Sequence, residues 1–445
     1  MTDSRLSRRN FLLGTSAVIS GALLAACGPT APQGSTAPAA TGGEAPAPSG
    51  EDVELIFHSR LGSHADWHKQ RVPLFEEQHP GVKLAIDEIP GEEMYPKVYA
   101  MAASGTVGDV VWTYLNNPPE HKTRGVMIPL DDIIAAKGYD TSVFWPSLLE
   151  ALSLDGQLHA IPNHAHYGTI VLYYNKTMFE NAGIDVPTPD WTYEDMTAAA
   201  QELTNAPETW GIRLSGGGQE HIPSYLRTFG GDLLSPDGTR SLLAEPNSRQ
   251  ALQWMYDMRF TAEADPCICG TDTRENFVAG NVGMFNTTPG LIAEFGRVPD
   301  WSFEWDATVF PQGPDGMRGS QVSGAGFCVT GNSANPNEAF DVTAFYATQE
   351  DGIEHVFGGA GSPGGRFDCW ESDQLAEMHG IFRQISETYP EGPEPWYRPA
   401  NGRTSEFVDT MNNNLQLLWA GEIGFDEGVE LVHELCQEVL DNDPI

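Results

Sequence analysis

The chain has 445 residues, of which 62 are acidic and 24 basic, for a formal charge of -38 at neutral pH. Such a surface repels phosphate backbones and anionic head groups, which excludes nucleic acid and charged lipid surfaces as partners. The last lysine is Lys176, so no lysine chemistry resides beyond it.

The N-terminus carries two export signals in series. Ser7-Arg8-Arg9-Asn10-Phe11-Leu12 forms a twin-arginine motif, and the apolar run after it ends in Leu24-Ala25-Ala26-Cys27, a lipoprotein cleavage box. Gly14 and Gly21 interrupt that run, which is shorter than the roughly 20 residues a spanning helix needs. Residues 1–26 are therefore expected to be a signal peptide that is cut away. The expected product is an extracytoplasmic protein, exported already folded by the twin-arginine route and held at the cell membrane only by lipid on Cys27. Residues 27–52 are rich in Pro, Ala, Gly, Ser and Thr, cannot form a core, and are predicted to be a flexible tether. Besides Cys27, Cys267, Cys269, Cys328, Cys369 and Cys436 are an odd set, and Cys267-Ile268-Cys269 lacks the C-x-x-C spacing of redox or zinc sites. A single disulfide elsewhere than this pair, or simply buried thiols, is expected, with no function assigned.

From Val53 onward, strand and helix signals alternate. Val53 to Phe57 alternates like a strand, followed by a helix with Ser63 and Asp66 at capping-box spacing and Trp67, Arg71, Leu74 and Phe75 on one side. Val82 to Ile89 is predicted to be a strand. Met94, Val98 and Met101 mark a helix stopped by Gly105, and Val110-Val111-Trp112 is a third strand. Thr169 to Tyr174 reads as another strand, on which Tyr173 and Tyr174 face opposite sides as packing residues. Asn175 caps the next helix, and Thr192 with Asp195 forms a capping box opening a helix through Leu203. Asn335-Pro336-Asn337-Glu338 starts a helix, and two amphipathic helices follow from about Ser405.

One ordered run carries a family resemblance: Leu154-Asp155-Gly156-Gln157-Leu158-His159-Ala160-Ile161-Pro162, then Leu172-Tyr173-Tyr174-Asn175-Lys176, Phe179, Ala182-Gly183-Ile184 and Trp191-Thr192-Tyr193-Glu194-Asp195. Phe277 to Met284, Pro311-Gln312-Gly313-Pro314 and Gly324-Ala325-Gly326 extend it. The chain resembles the extracellular solute-binding proteins, family 1, which deliver mainly sugars to ABC importers. The resemblance implies an α/β chain of the type II periplasmic-binding-protein fold, with two α/β lobes joined by three crossover segments around a central ligand cleft. One lobe would be 53–162 plus 327–360, the other 163–323 plus 370–445. It also implies a monomer that captures a carbohydrate by hinge closure, hands it to the permease subunits, and needs no cofactor or catalysis.

Ligand loops of such a fold lie at the carboxyl ends of strands. That gives His58, Ser59, Arg60 and Asp66 after the first strand, and Thr113, Tyr114 and Asn116 after the third. His164, His166 and Tyr167 follow the first crossover, with Gln219, Glu220, Asn286 and Thr288 beyond, and Trp396 and Arg398 near the end. Aromatic faces stack on the C–H face of a pyranose, while planar polar groups pair with neighbouring hydroxyls. Trp67 is expected to be core. His64 and His68 have helical i,i+4 spacing and His164 and His166 share one side of a strand, but no tight three-residue constellation is visible. No metal site is therefore expected. The glycine-rich run Gly358 to Gly365 lacks the lysine of a phosphate loop and is read as a mobile connection. No G-x-S-x-G elbow or H-E-x-x-H helix occurs. The alternatives are an exported polysaccharide hydrolase, or a solute-binding lipoprotein for a polyol, sugar phosphate or peptide.

Overall fold

The computed structural model describes residues 52–444 apart from 218–220 and 269–273. The export signal, Cys27, the tether, Gln219, Glu220 and Cys269 lie outside the described residues.

β1 (Val53–Arg60) pairs in parallel with β2 (Val82–Ile89) along its whole length, Val53 opposite Val82 and Arg60 opposite Ile89. Parallel neighbours need a crossover, which the helix Ser63–Gln78 supplies. A second crossover through the helix Met94–Ser104, ended by Gly105 in the left-handed conformation, leads to β3 (Val110–Tyr114), parallel to β1 on its other side. A short hairpin of β4 (Ser153–Leu154) and β5 (Gln157–Leu158) precedes β6 (Ile161–His166). The chain then builds a second sheet from β7 (Val171–Asn175), β8 (Trp210–Arg213), β9 (Val282–Thr287) and β10 (Trp305–Val309). β11 (Ser323–Val329) returns to the first sheet, giving the orders β2-β1-β3-β11-β6 and β10-β7-β9-β8.

β11 runs antiparallel between β3 and β6, and its register against β6 shifts between Gly324 and Gly326. Gly324 holds a φ of +143° there, a conformation that side chains resist. β6 keeps residues up to His166 in the first sheet, and β11 rejoins that sheet from Ser323.

β7 divides its side chains by the period of two that a pleated strand imposes. Val171 and Tyr173 join an apolar cluster continuous with the first sheet. Leu172 and Tyr174 join a second cluster with Phe407, Leu415, Leu418 and Trp419 of the helix Thr404–Ala420 and Val429 and Val432 of the helix Phe425–Asp441. Both tyrosines are packing residues, as the alternation predicted.

The capping box at Thr192 and Asp195 forms in both directions, at 3.2 Å and 2.9 Å, and opens the helix Tyr193–Leu203. The box expected at Ser63 and Asp66 does not form. Ser63 is the first helical residue, Gly62 occupies the cap position, and no side chain bonds the free amides. The glycine-rich run is not a loose connection either. Ala165 N donates to Pro363 O at 2.9 Å and Gly365 N to Asn163 O at 3.0 Å, so the segment lies along β6 like an added strand. Cys267 is disulfide-bonded, while Cys328, Cys369 and Cys436 are free and buried. Among the described residues no helix is long and apolar enough to cross a membrane.

Candidate functional site

The carboxyl ends of β1 and β3 lie side by side because those strands are parallel neighbours, and they present Arg60 and Tyr114, both partly exposed. The Arg60 guanidinium lies 5.9 Å from the ring centre of Trp112 and 6.0 Å from that of Tyr114, within cation–π range of both. Asn116 follows two residues on and, with Leu115, faces the segment Gln321 to Gly324 that leads into β11. Leu115, Asn116, Gln321 to Gly324 and Trp396 enclose a cavity of about 20 Å³. That is room for about one water and far too little for a sugar. Thus the structure brings Asn116 and Trp396 to one cavity, with Tyr114 next in sequence to its wall. Gln321, Ser323 and Gly324 complete it without having been anticipated. No local motif marks them, because their place depends on how β11 returns between β3 and β6.

The wall belonging to the second sheet is polar and tightly bonded. Asn286, at the end of β9, is buried and accepts from the Tyr225 hydroxyl at 2.7 Å, while its backbone carbonyl accepts from Ser215 Oγ at 3.1 Å. Its Nδ2 is buried without a partner. Thr288 is partly exposed and accepts the Tyr173 hydroxyl on its carbonyl at 2.9 Å. Arg398 donates to Ser153 O at 3.4 Å, and its burial lowers the guanidinium pKa. Asp265, buried behind this wall, has its carboxyl pushed up to about 7 by desolvation despite backbone donors at Leu214 and Cys267.

Other expected contacts are occupied inside the protein. His58 is buried between Asp87, 2.8 Å from Nδ1, and Gly108 N, which donates to Nε2 at 2.8 Å. Ser59 Oγ bonds His68 Nδ1 at 2.8 Å, and Thr113 Oγ1 donates to the Tyr114 carbonyl. Both are fully buried. Tyr167 sits among Trp145, Trp370 and Tyr389, with ring centres 4.7 to 5.4 Å away. His166 Nδ1 accepts from Gly168 N at 3.1 Å, and burial pulls its pKa down to about 3. These five are enclosed within the protein, His58, Ser59, Thr113 and His166 by their strand positions and Tyr167, just past β6, by the rings around it. Asp66 is exposed on the first turn of its helix, and Trp67 is core, as expected.

The reading that no three-residue histidine constellation exists is overturned. His64 from the helix Ser63–Gln78, His164 from β6 and His355 from the helix Gln349–Phe357 place one ring nitrogen each within 4.8 Å of one another. Their ring centres are 4.8 Å, 5.5 Å and 5.2 Å apart. Burial pulls His64 down to about 3 and His355 to about 4, and holds His164 well below the ordinary imidazole value. Trp112 separates this group from Arg60, its ring centre 5.5 Å from that of His64. The residues are 100 and 191 positions apart in sequence (64 to 164, 164 to 355), so spacing alone carried no signal.

Bacterial extracellular solute-binding proteins match residues 70–377 of this chain. A binding protein of Brucella abortus is 27% identical over 281 residues, covering 61% of this chain and 66% of its own length, just under two thirds. An arabinooligosaccharide-binding protein of Halalkalibacterium halodurans is 23% identical across 76% of this chain and 78% of its own. Among solved structures, an ABC substrate-binding protein from Listeria monocytogenes in complex with cycloalternan superposes with a TM-score of 0.74 at 19% identity, over 87% of this chain and 99% of that one. A maltose-bound Thermotoga maritima protein gives 0.72 at 18% identity, over 87% and 100%. Proteins of this kind bind solutes rather than transform them. With the two-sheet architecture shared and most of its length matched, the chain belongs to the family of bacterial extracellular solute-binding proteins.

Proposed function

We propose that this protein is the solute-capturing lipoprotein of an ABC importer, closing on a mono- or oligosaccharide and delivering it to the permease without chemical change. The observation that carries this reading is the two-sheet architecture shared with sugar-bound proteins, with Arg60 and Tyr114 presented at the ends of β1 and β3 beside a small cavity lined by Asn116 and Trp396. Contacts from both sides of a cleft coexist only when the lobes close, so solute shifts an open–closed equilibrium by its differential affinity. Export by the twin-arginine route, acylation at Cys27, a monomeric state and an extracytoplasmic location complete the reading and rest on the sequence.

A second reading keeps the mechanism and changes the solute. An sn-glycerol-3-phosphate-binding protein of Pectobacterium atrosepticum is 23% identical over 67% of this chain, and Arg60 would suit a phosphate. A thermal-shift screen of the mature protein decides between them. Among arabinooligosaccharides, maltotriose, tagatose and glycerol 3-phosphate, only a solute that the protein binds would stabilise the fold, by about 2.7 kcal/mol at 100 times its dissociation constant. Stabilisation by none of them, or release of cleaved sugar from a labelled oligosaccharide, would overturn the proposal.

A further inference from the structure

We propose that His64, His164 and His355 form a binding site for one divalent transition-metal ion of the zinc type, held in the first lobe one aromatic ring away from Arg60. The three side chains come from three separate elements, and the fold alone gathers them.

The hydrogen bonds around the group settle which nitrogens are free. His355 Nδ1–H donates to the Ser362 carbonyl at 2.8 Å, which leaves a lone pair on Nε2, buried and without a partner. Asn163 Nδ2 donates to the Tyr346 carbonyl at 2.9 Å, so its Oδ1 is the end that faces His164 Nδ1, 3.1 Å away. Nδ1 of His164 is therefore the protonated nitrogen and Nε2 carries the lone pair. His64 Nδ1 is likewise buried without a partner. Metal-bound histidines are oriented in this way, the far nitrogen donating to a carbonyl or a carboxylate-like oxygen.

The dimensions fit. Imidazole nitrogens at about 2.0 to 2.1 Å from a tetrahedral ion lie roughly 3.4 Å from each other, with ring centres about 5 Å apart. The ring centres observed, at 4.8 to 5.5 Å, already have that spacing. The ligand nitrogens, all within 4.8 Å of one another, would draw about an ångström closer around an ion. Three neutral nitrogens and no carboxylate select against magnesium and calcium, which take oxygen donors, and favour zinc, nickel, cobalt or copper. Three protein ligands leave a fourth coordination position open, and half-exposed His64 marks the side of entry.

The test uses the mature protein stripped with chelator and titrated with Zn2+ by calorimetry, in excess Mg2+ to occupy surface carboxylates. One Zn2+ per chain is expected, with His64→Ala and His355→Gln each weakening it by about 100-fold or more. X-ray absorption of the wild-type zinc complex reads the ligands directly and does not depend on any variant folding. A shell of three imidazoles supports the site. An oxygen-only shell, no saturable binding of Zn2+ by the wild type, or unchanged affinity in His64→Ala would each reduce the group to packed histidines.

Discussion

The guanidinium of Arg60 lies 6.0 Å from the ring centre of Tyr114, joining the carboxyl ends of two strands that are 50 residues apart in sequence (60 to 110). A cation and an aromatic face held together and partly exposed form a small platform that suits a sugar ring and its hydroxyls. Tyr114→Ala and Arg60→Ala are each expected to weaken the identified solute about tenfold or more, by calorimetry, with the melting temperature nearly unchanged. Unaltered affinity in both would make the platform structural.

One bond ties the segment after β9 to the helix Gln349–Phe357. Arg297, between β9 and β10, donates to the Phe357 carbonyl at the end of that helix. Arg297→Ala is expected to raise the radius of gyration of the solute-free protein in solution scattering. Saturating solute should restore the compact value; equal radii in the two proteins would show that the bond does not hold the lobes.

Within the first lobe, Arg71 Nε donates to Asp351 Oδ1 at 2.6 Å, and the carboxylate is almost wholly enclosed. Removing the cation strands a buried charge. Arg71→Met is expected to cost about 3 to 5 kcal/mol in urea denaturation, and adding Asp351→Asn should recover part of it, because an amide needs no counter-charge.

Gly211 in β8 lies against the backbone of Ala200 in the helix Tyr193–Leu203, and a Cβ there would fall inside the Ala200 carbonyl group. Gly380, at the start of the helix Ile381–Thr388, has open space around it and an ordinary helical φ. Gly211→Ala should destabilise by about 1 to 3 kcal/mol or more, while Gly380→Ala stays within about 0.5 kcal/mol. Similar chemical denaturation midpoints for the two would contradict the close approach.

His121 is fully buried, its Nδ1 3.0 Å from the Tyr99 hydroxyl, and desolvation pulls its pKa down to about 3. Unfolded, the imidazole titrates near 6.5, so below that pH the unfolded chain binds the extra proton. The stability contribution is intact above pH 6.5 and falls by about 1.4 kcal/mol per pH unit as the pH drops toward 3. Stability measured from pH 7.5 to 5 should decline below 6.5, and His121→Phe should show a shallower slope. A slope identical to wild type would place the acid sensitivity elsewhere.

Local chemistry was legible where a few neighbouring residues decide the outcome. β2 spans Val82–Ile89 as the alternation implied, Gly105 stops its helix, and the Thr192–Asp195 box forms because both bonds lie within one turn. Ser63 and Asp66 had the same spacing and formed no box, since Gly62 takes the cap position as the chain leaves β1. Arg60 and Tyr114 could be placed at the ends of their strands from the alternation alone. His58, Ser59 and Thr113 could not be told apart from them, because the face of a strand that meets solvent is fixed by what packs on the other.

The sequence by itself determined the alternation of strands and helices, the family and the acidic surface, all properties carried by residues near one another or by bulk composition. Tertiary structure decided which polar side chains are enclosed, that the cavity includes Gln321 to Gly324, and that three histidines from distant segments share one volume. Those outcomes depend on parallel crossovers and on the return of β11 between β3 and β6, contacts made across long stretches of chain that no local pattern records.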